Sequence, residues 1–553
     1  MTLPTKYSLL TWGLALSLLG ACQQAKKTTA VSTPTANTAE TKAEADAPPI
    51  NIVNPVLPGD FPDPSITKVG DTYWATATSS NWGPAFPLLK STNLTDWELV
   101  GHVFPGKLPD WADYYFWAPE ISEENGKIYV YYTAHKKSGN LCVAVASADR
   151  PEGPYTDHGP LVGQPDGSID GFPMRDENGQ LYLVWKEDGN SVQQPTPIWA
   201  QRLNEQRTAL VGEKKELFRN TAPWEGNLVE GVCMIRRNEY FYAFYAGNGC
   251  CGHTCTYGMG VARAKSLLGP WEKYEKNPVL TKNEKWACPG HGTVFNRGKR
   301  WYMLHHAYDT RSFEFVGRQG VMSEFDWTAD GWPDFRSGGT IPAKGNPPAA
   351  ARNFDDNFDG KALALSWQWP VQEPPTLAVR GGQLLLTARP QHSGAVLGQH
   401  TYTADYIASV TLLNPAKLPA GTQAGLAAHG DPENTLALTA GGGKLQLWQL
   451  EKGKQKTLSE TKLPATDALA LRLQAQNGSQ FRFEWSADGG KTWQAMPGVN
   501  GPINAAYLPP WDRGVRAGVL AKGPATATVA FDNFSLRSQL VTAQAEDRKS
   551  DAK

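Results

Sequence analysis

Three acidic residues of the 553-residue chain sit in settings that suit chemistry better than solvation. Asp63 lies in Pro58-Gly59-Asp60-Phe61-Pro62-Asp63-Pro64-Ser65, Asp170 in Gly167-Ser168-Ile169-Asp170-Gly171-Phe172-Pro173, and Glu230 in Asn227-Leu228-Val229-Glu230-Gly231-Val232. Two prolines restrict the backbone around Asp63 and can hold its carboxylate at the start of a strand. A lone carboxylate there is usually a turn or cap residue. Three of them brought to one point would repel one another, and the repulsion keeps one protonated as a general acid while another stays ionised as a base. Glu225, in Trp224-Glu225-Gly226, competes for the acid role; Glu230 is preferred because it stands at a strand entry, just ahead of Val232-Cys233-Met234-Ile235. His305 and His306 are adjacent on a strand and face opposite ways, so at most one points inward and a two-His metal site is not expected.

The elements that must position these carboxylates recur along the chain. A turn followed by an aromatic-rich strand begins at Asp71, Gly126, Gly179, Asn238 and Gly298, at intervals of about 55 residues. Gly-Pro segments at Gly153-Pro154 and Gly269-Pro270 mark a second element in two units. Units of that length suit four-stranded propeller blades and are too long for WD40 repeats of about 40–45 residues. In a propeller the first strand of every blade lines the central axis, so equivalent positions converge on one pocket. The predicted fold is all-β: a five-bladed β-propeller over 50–340, a Pro/Gly/Ala-rich linker over 341–353, and a two-sheet sandwich over 354–540. The sandwich rests on short alternating strands such as Ile407 to Leu412 and Phe481 to Trp485. A polar tail follows over 541–553.

The composition narrows the partners. With 53 basic against 54 acidic side chains, the net charge of −1 offers no footprint for nucleic acid. Charged residues make up 19% and aromatic residues 10%, with 20 Trp, so apolar faces for sugar rings are plentiful beside ordinary core tryptophans. Lys6 precedes an apolar run from Tyr7 to Leu19, too short to span a bilayer but right for a signal peptide over 1–21. The run ends in Leu19-Gly20-Ala21-Cys22, which looks like a bacterial lipobox that makes Cys22 the lipidated residue. Residues 22–49 are Ala-, Thr- and Lys-rich and read as a flexible tether. The expected address is an exported lipoprotein of the cell envelope, held by lipid. In that oxidising setting Cys142 and Cys233 read as strand residues, and the cluster Cys250-Cys251-Gly252-His253-Thr254-Cys255 reads as a loop braced by disulfides, with Cys288 a candidate partner, rather than a metal site.

Taken with their settings, the three carboxylates resemble those of glycoside hydrolase family 43, five-bladed propeller enzymes that include β-xylosidases and α-L-arabinofuranosidases. The resemblance covers about Asn51 to Pro333, and Gly59 to Ser65 is its most specific part. It implies Asp63 as general base, Asp170 as the residue that tunes and orients the acid, and Glu230 as general acid. It further implies Trp117, in Trp117-Ala118-Pro119-Glu120, as a wall of the sugar site, and Trp82 as a weaker aromatic wall. Arg318, in Gly317-Arg318-Gln319, would reach the sugar and the acid. His291, in Pro289-Gly290-His291-Gly292, would stand at the propeller centre near water or a structural calcium. No cofactor is required for the chemistry. Two departures stand out: Asp170 is followed by Gly171-Phe172-Pro173 rather than Pro-Ser, and Glu230 by Gly231-Val232 rather than Gly-Pro. The region after Phe354 resembles the concanavalin-like sandwich appended to many of the family's β-xylosidases. The expected function is inverting, exo-acting release of terminal xylose or arabinofuranose from plant-cell-wall oligosaccharides. Alternatives are hydrolysis of arabinan or galactan, endo or exo, and a non-catalytic carbohydrate-binding lipoprotein.

Overall fold

A computed structural model describes residues 48–342 and 353–539. The expected signal peptide, the tether up to residue 47 with Cys22, most of the linker and the polar tail lie outside the described residues.

Five four-stranded antiparallel sheets follow one another in chain order. Their first strands are Ser65–Val69, Ala112–Glu124, Ser168–Arg175, Val229–Arg237 and Trp286–Arg297. The recurrent turns of the sequence are those that join the first and second strands of each sheet. First strands of neighbouring sheets touch in a closed ring, including the fifth against the first, which makes the array a five-bladed propeller. Leu57 closes it from outside, exchanging two backbone hydrogen bonds of 3.0 Å with Gly320 of the fifth blade. Because each blade is covered on both faces by its neighbours, middle strands such as Leu141–Ala148 are buried almost throughout rather than on alternate residues.

The innermost strands are not regular. Ladder register shifts fall between Ile169 and Phe172, between Glu230 and Cys233, and twice between Ala287 and Gly292. Every blade has positive φ near its axial end, among them Asp63 (50°), Ala118 (45°), Asp170 (60°), Gly231 (63°) and His291 (35°). Bulges of this kind re-aim a side chain out of the ladder, and here they turn acidic and imidazole groups towards the axis.

The second domain packs a six-stranded sheet, which includes Arg516–Lys522 and Gln423–Asp431, on a larger sheet that includes Tyr406–Leu413 and Thr528–Ser538. Tyr406–Leu413 alternates buried and half-buried residues, as a sheet with one covered face should. One apolar core joins the two sheets, with Leu426, Leu438, Leu471 and Phe531 all fully buried. The sandwich also reaches the propeller through a strand pair, Trp369 opposite Gly83 and Pro370 opposite Trp82.

Candidate active site

The loop that carries Asp63 is fixed at both ends. Asp60 is buried and accepts from the Arg318 backbone N–H at 3.2 Å and, from the sandwich, from the Gly514 N–H at 2.7 Å and Arg516 Nη2 at 3.1 Å. Gly317 has to be glycine for this, since a Cβ there would stand 2.2 Å from Asp60 Oδ1. Phe61 stacks on the sandwich residue His400 at 5.1 Å. Asp63 is thereby turned inwards, where Thr78 Oγ1 donates to its Oδ2 at 2.7 Å and Arg318 Nη1 to its Oδ1 at 2.9 Å. Burial opposes its charge, but the Arg318 guanidinium and the neighbouring imidazoles outweigh that and hold the carboxyl far below the usual aspartate range. His306 lies beside it with Nδ1 3.1 Å from the Asp63 backbone nitrogen. The same Nδ1 is 3.1 Å from Asp63 Oδ1, and burial lowers this imidazole to about 4, so the ring is neutral. His305 points the other way, onto Ser323 Oγ at 3.0 Å.

Asp170 and Glu230 form the opposite side. Asp170 donates its N–H to Thr133 Oγ1 at 3.1 Å and accepts the Gly231 N–H on Oδ2 at 2.8 Å. Burial raises its carboxyl to about 6, against the pull of His291 and with help from the Glu230 charge. The His291 ring stands between the two aspartates, Nδ1 3.6 Å from Asp63 Oδ1 and 4.0 Å from Asp170 Oδ2. Gly231 makes room for it: a Cβ there would lie 2.8 Å from the ring. Glu230 accepts from Lys186 Nζ at 2.6 Å on Oε2 and from Tyr257 Oη at 2.8 Å on Oε1. Burial alone would raise its carboxyl, yet the Lys186 ammonium, with help from Tyr257, holds it below its ordinary value.

The sandwich completes the rim. Asp512, 1% exposed, accepts from Trp117 Nε1 at 3.2 Å through Oδ2 and from Arg318 Nη2 at 3.1 Å through its carbonyl. Trp117 stacks on Tyr115 at 4.3 Å and meets the edge of Trp511 at 5.9 Å. Trp511, at 53% exposed, is among the few large apolar side chains open to solvent. The structure pairs Cys250 with Cys251 and Cys255 with Cys288, while Cys142 and Cys233 are buried thiols.

Asp63, Asp170, His291 and Arg318 are thus brought together, with Glu230 coupled to Asp170 across the backbone of Gly231 and Trp117 at the rim. Three expectations change. Trp82 is no sugar wall, because it is 2% exposed, paired through its backbone with Pro370 and set edge-on to His429 at 5.6 Å. Arg318 serves Asp63, whereas the cation on Glu230 is Lys186. The carboxyl that is raised is Asp170 rather than Glu230, chiefly by burial with a smaller push from the Glu230 charge, while Lys186 holds the glutamate down. The preference for Glu230 over Glu225 does not change: Glu225 is fully buried on Lys273, Tyr245 and two backbone N–H groups. Calcium takes six to eight oxygen ligands; the carboxylate oxygens beside His291 are those of Asp63 and Asp170, so most of a calcium shell there would be water. Among the described residues no three His, Cys, Asp or Glu side chains are grouped to hold a metal.

Lys186, Tyr257, Thr78 and Asp512 were missed, whereas His306 is the inward member of the His305/His306 pair. Lys186 alone left a trace: a charge at the end of the apolar run Leu181-Tyr182-Leu183-Val184-Trp185.

A propeller axis lined by an ionised carboxylate, a second carboxyl near neutrality and a third on an ammonium has the parts that glycoside hydrolysis uses. Residues 52–333 match the model of glycosyl hydrolases family 43, and residues 355–537 that of the β-xylosidase C-terminal concanavalin A-like domain; the chain belongs to glycosyl hydrolases family 43. It is 27% identical over 383 residues to a xylan 1,3-β-xylosidase of a Vibrio species, which covers 61% of this chain and 69% of that one. It is 29% identical over 352 residues to a xylosidase/arabinosidase of Humicola insolens, covering 58% and 63%. The chain therefore spans about two thirds of the length of these relatives. The crystal structure of a xylan β-1,4-xylosidase from Bacillus halodurans superposes with a TM-score of 0.74 at 22% identity, over 88% of this chain and 100% of that one, and shares the fold.

Proposed function

We propose that the chain is an inverting, exo-acting glycoside hydrolase that releases terminal xylose or arabinofuranose from plant-cell-wall oligosaccharides. The observation that carries this reading is the pairing of an Asp63 carboxylate kept ionised by Arg318 with a Glu230 carboxyl presented from another blade, His291 and Asp170 standing beside them. Asp63 takes the proton of a water that attacks the anomeric carbon, and Glu230 gives one to the departing oxygen. The names of the relatives support the two pentoses. Trp511 and Asp512 of the sandwich stand beside Trp117 and wall one side of the axial mouth, which suits a terminal sugar better than a passing chain.

Nitrophenyl β-xyloside, α-arabinofuranoside and β-galactoside separate the sugars. Proton NMR of the first product gives its anomer: retained configuration overturns inversion, and a folded protein that turns over no glycoside overturns the enzyme reading. We further propose export and lipid attachment at Cys22, on the lipobox sequence; a Cys22→Ser chain that stays in the membrane fraction overturns it.

A further inference from the structure

Lys186 lies on Leu181–Glu187, the second strand of the third blade, and its side chain is 1% exposed. Its ammonium bridges two carboxylates, Glu230 Oε2 at 2.6 Å and Asp188 Oδ1 at 2.8 Å. Such a cation is costly to bury unless it is paired, and a general acid paired with a cation gives up its proton readily but holds it only at lower pH.

Asp188 resolves the conflict. Each inverting turnover leaves Glu230 ionised, and the acid must be reloaded from solvent before the next. When Glu230 takes up that proton, the ammonium loses one partner and keeps the other. We propose that Lys186 is a positioning residue that holds the Glu230 carboxyl at the axis and sets the alkaline limit of the reaction, with Asp188 keeping its ammonium paired whenever Glu230 is protonated.

This rests on Glu230 being the acid. The charged and titratable groups that face Glu230 are Lys186 and Asp188 from the end of that strand, Asp170 from the blade's first strand, Tyr257 and His291 from the fourth and fifth blades, and, further off, Asp63. Among the described residues only Lys186 and Tyr257 bond its carboxylate directly. Lys186 favours its ionised form by charge, and Asp188 opposes that. Removing the first should therefore move the alkaline limb up, and removing the second should move it down.

The test is the pH profile of kcat/KM on a xylo-oligosaccharide, whose poor leaving group needs the acid; its alkaline limb reports the acid in the free enzyme. Lys186→Met and Lys186→Gln are expected to shift that limb upward by about one pH unit. Lys186→Arg should leave it in place, and Asp188→Asn should shift it downward. Opposite shifts from two neighbours are not what a merely structural role produces. A folded Lys186→Met or Lys186→Gln chain with the wild-type limb overturns the inference. If neither folds, Asp188→Asn decides: a limb that stays or moves up overturns it. Glu230→Gln separates this from the reading beneath it. If that chain loses the limb while the Lys186 variants keep theirs, the acid assignment stands and the inference falls. If Glu230→Gln keeps both the limb and the oligosaccharide turnover, the acid assignment falls and the inference with it.

Discussion

Two glutamates five positions apart in the chain have nearly the same immediate partners and opposite fates. Glu225 and Glu230 are both buried, both have a lysine Nζ at 2.6 Å, and both accept from a tyrosine hydroxyl, Tyr245 at 2.7 Å and Tyr257 at 2.8 Å. The difference lies in what is left over. A carboxylate offers about four lone-pair directions. Glu225 fills them with Lys273 on both oxygens, Tyr245 and the N–H groups of Thr221 and Ala222, on a 3-10 turn over Pro223–Glu225. Glu230 fills two and is 8% exposed. A saturated carboxylate is structure, and a half-filled one at an axis is available to a substrate.

That contrast can be broken by experiment. The largest effect is expected from Glu230→Gln, which should lower kcat/KM on a xylo-oligosaccharide about 1,000-fold and lower it far less on a nitrophenyl glycoside, whose leaving group needs no proton. Thermal unfolding should move little. Glu225→Gln should do the reverse. It leaves the Lys273 ammonium without its ion-pair partner and should cost about 3 kcal/mol or more in urea unfolding, while activity per folded molecule stays within a few-fold. Reversed outcomes would mean that the two residues have exchanged roles.

A third carboxylate sharpens the comparison through pH. Asp170 is raised by burial to about 6 in the folded protein, against an unfolded value near 3.9. Its contribution to stability is therefore fully present below about pH 4 and is lost as pH rises through about 6. Asp170→Asn should stabilise the protein by about 1–3 kcal/mol at pH 8 and by nothing measurable at pH 4, read as unfolding midpoints at the two pH values. A gain that does not depend on pH would mean that burial is not the cause. The smallest effect is expected at the rim. Trp511→Ala should change stability by less than about 0.5 kcal/mol, as for an exposed side chain, while raising KM for oligosaccharides several-fold; an unchanged KM would remove the sandwich from the site.

What could be read from the sequence was what local backbone chemistry marks. The axial carboxylates announced themselves because bulges and left-handed positions need glycine and proline near them, as around Asp63, Asp170 and Glu230. The blades announced themselves through their first turns. What stayed hidden depends on pairs far apart in the chain. Trp82 has the right type for a sugar wall, but Pro370 and His429 bury it. Arg318 has the right type to serve an acid, but the fold sets it on Asp63. Asp512 and Lys186 carry no spacing signal, so only the assembled axis shows what they touch.

Asp60 has a consequence for how such enzymes diversify. One buried carboxylate holds a propeller backbone amide, a sandwich backbone amide and a sandwich arginine together, three residues before Asp63. The second domain is therefore not a detachable module that could be traded between genes as an independent sugar-binding accessory. A propeller transplanted without it would leave Asp60 without its Arg516 and Gly514 partners beside the loop that carries Asp63, so the two halves are constrained to be inherited, and to drift, as one piece.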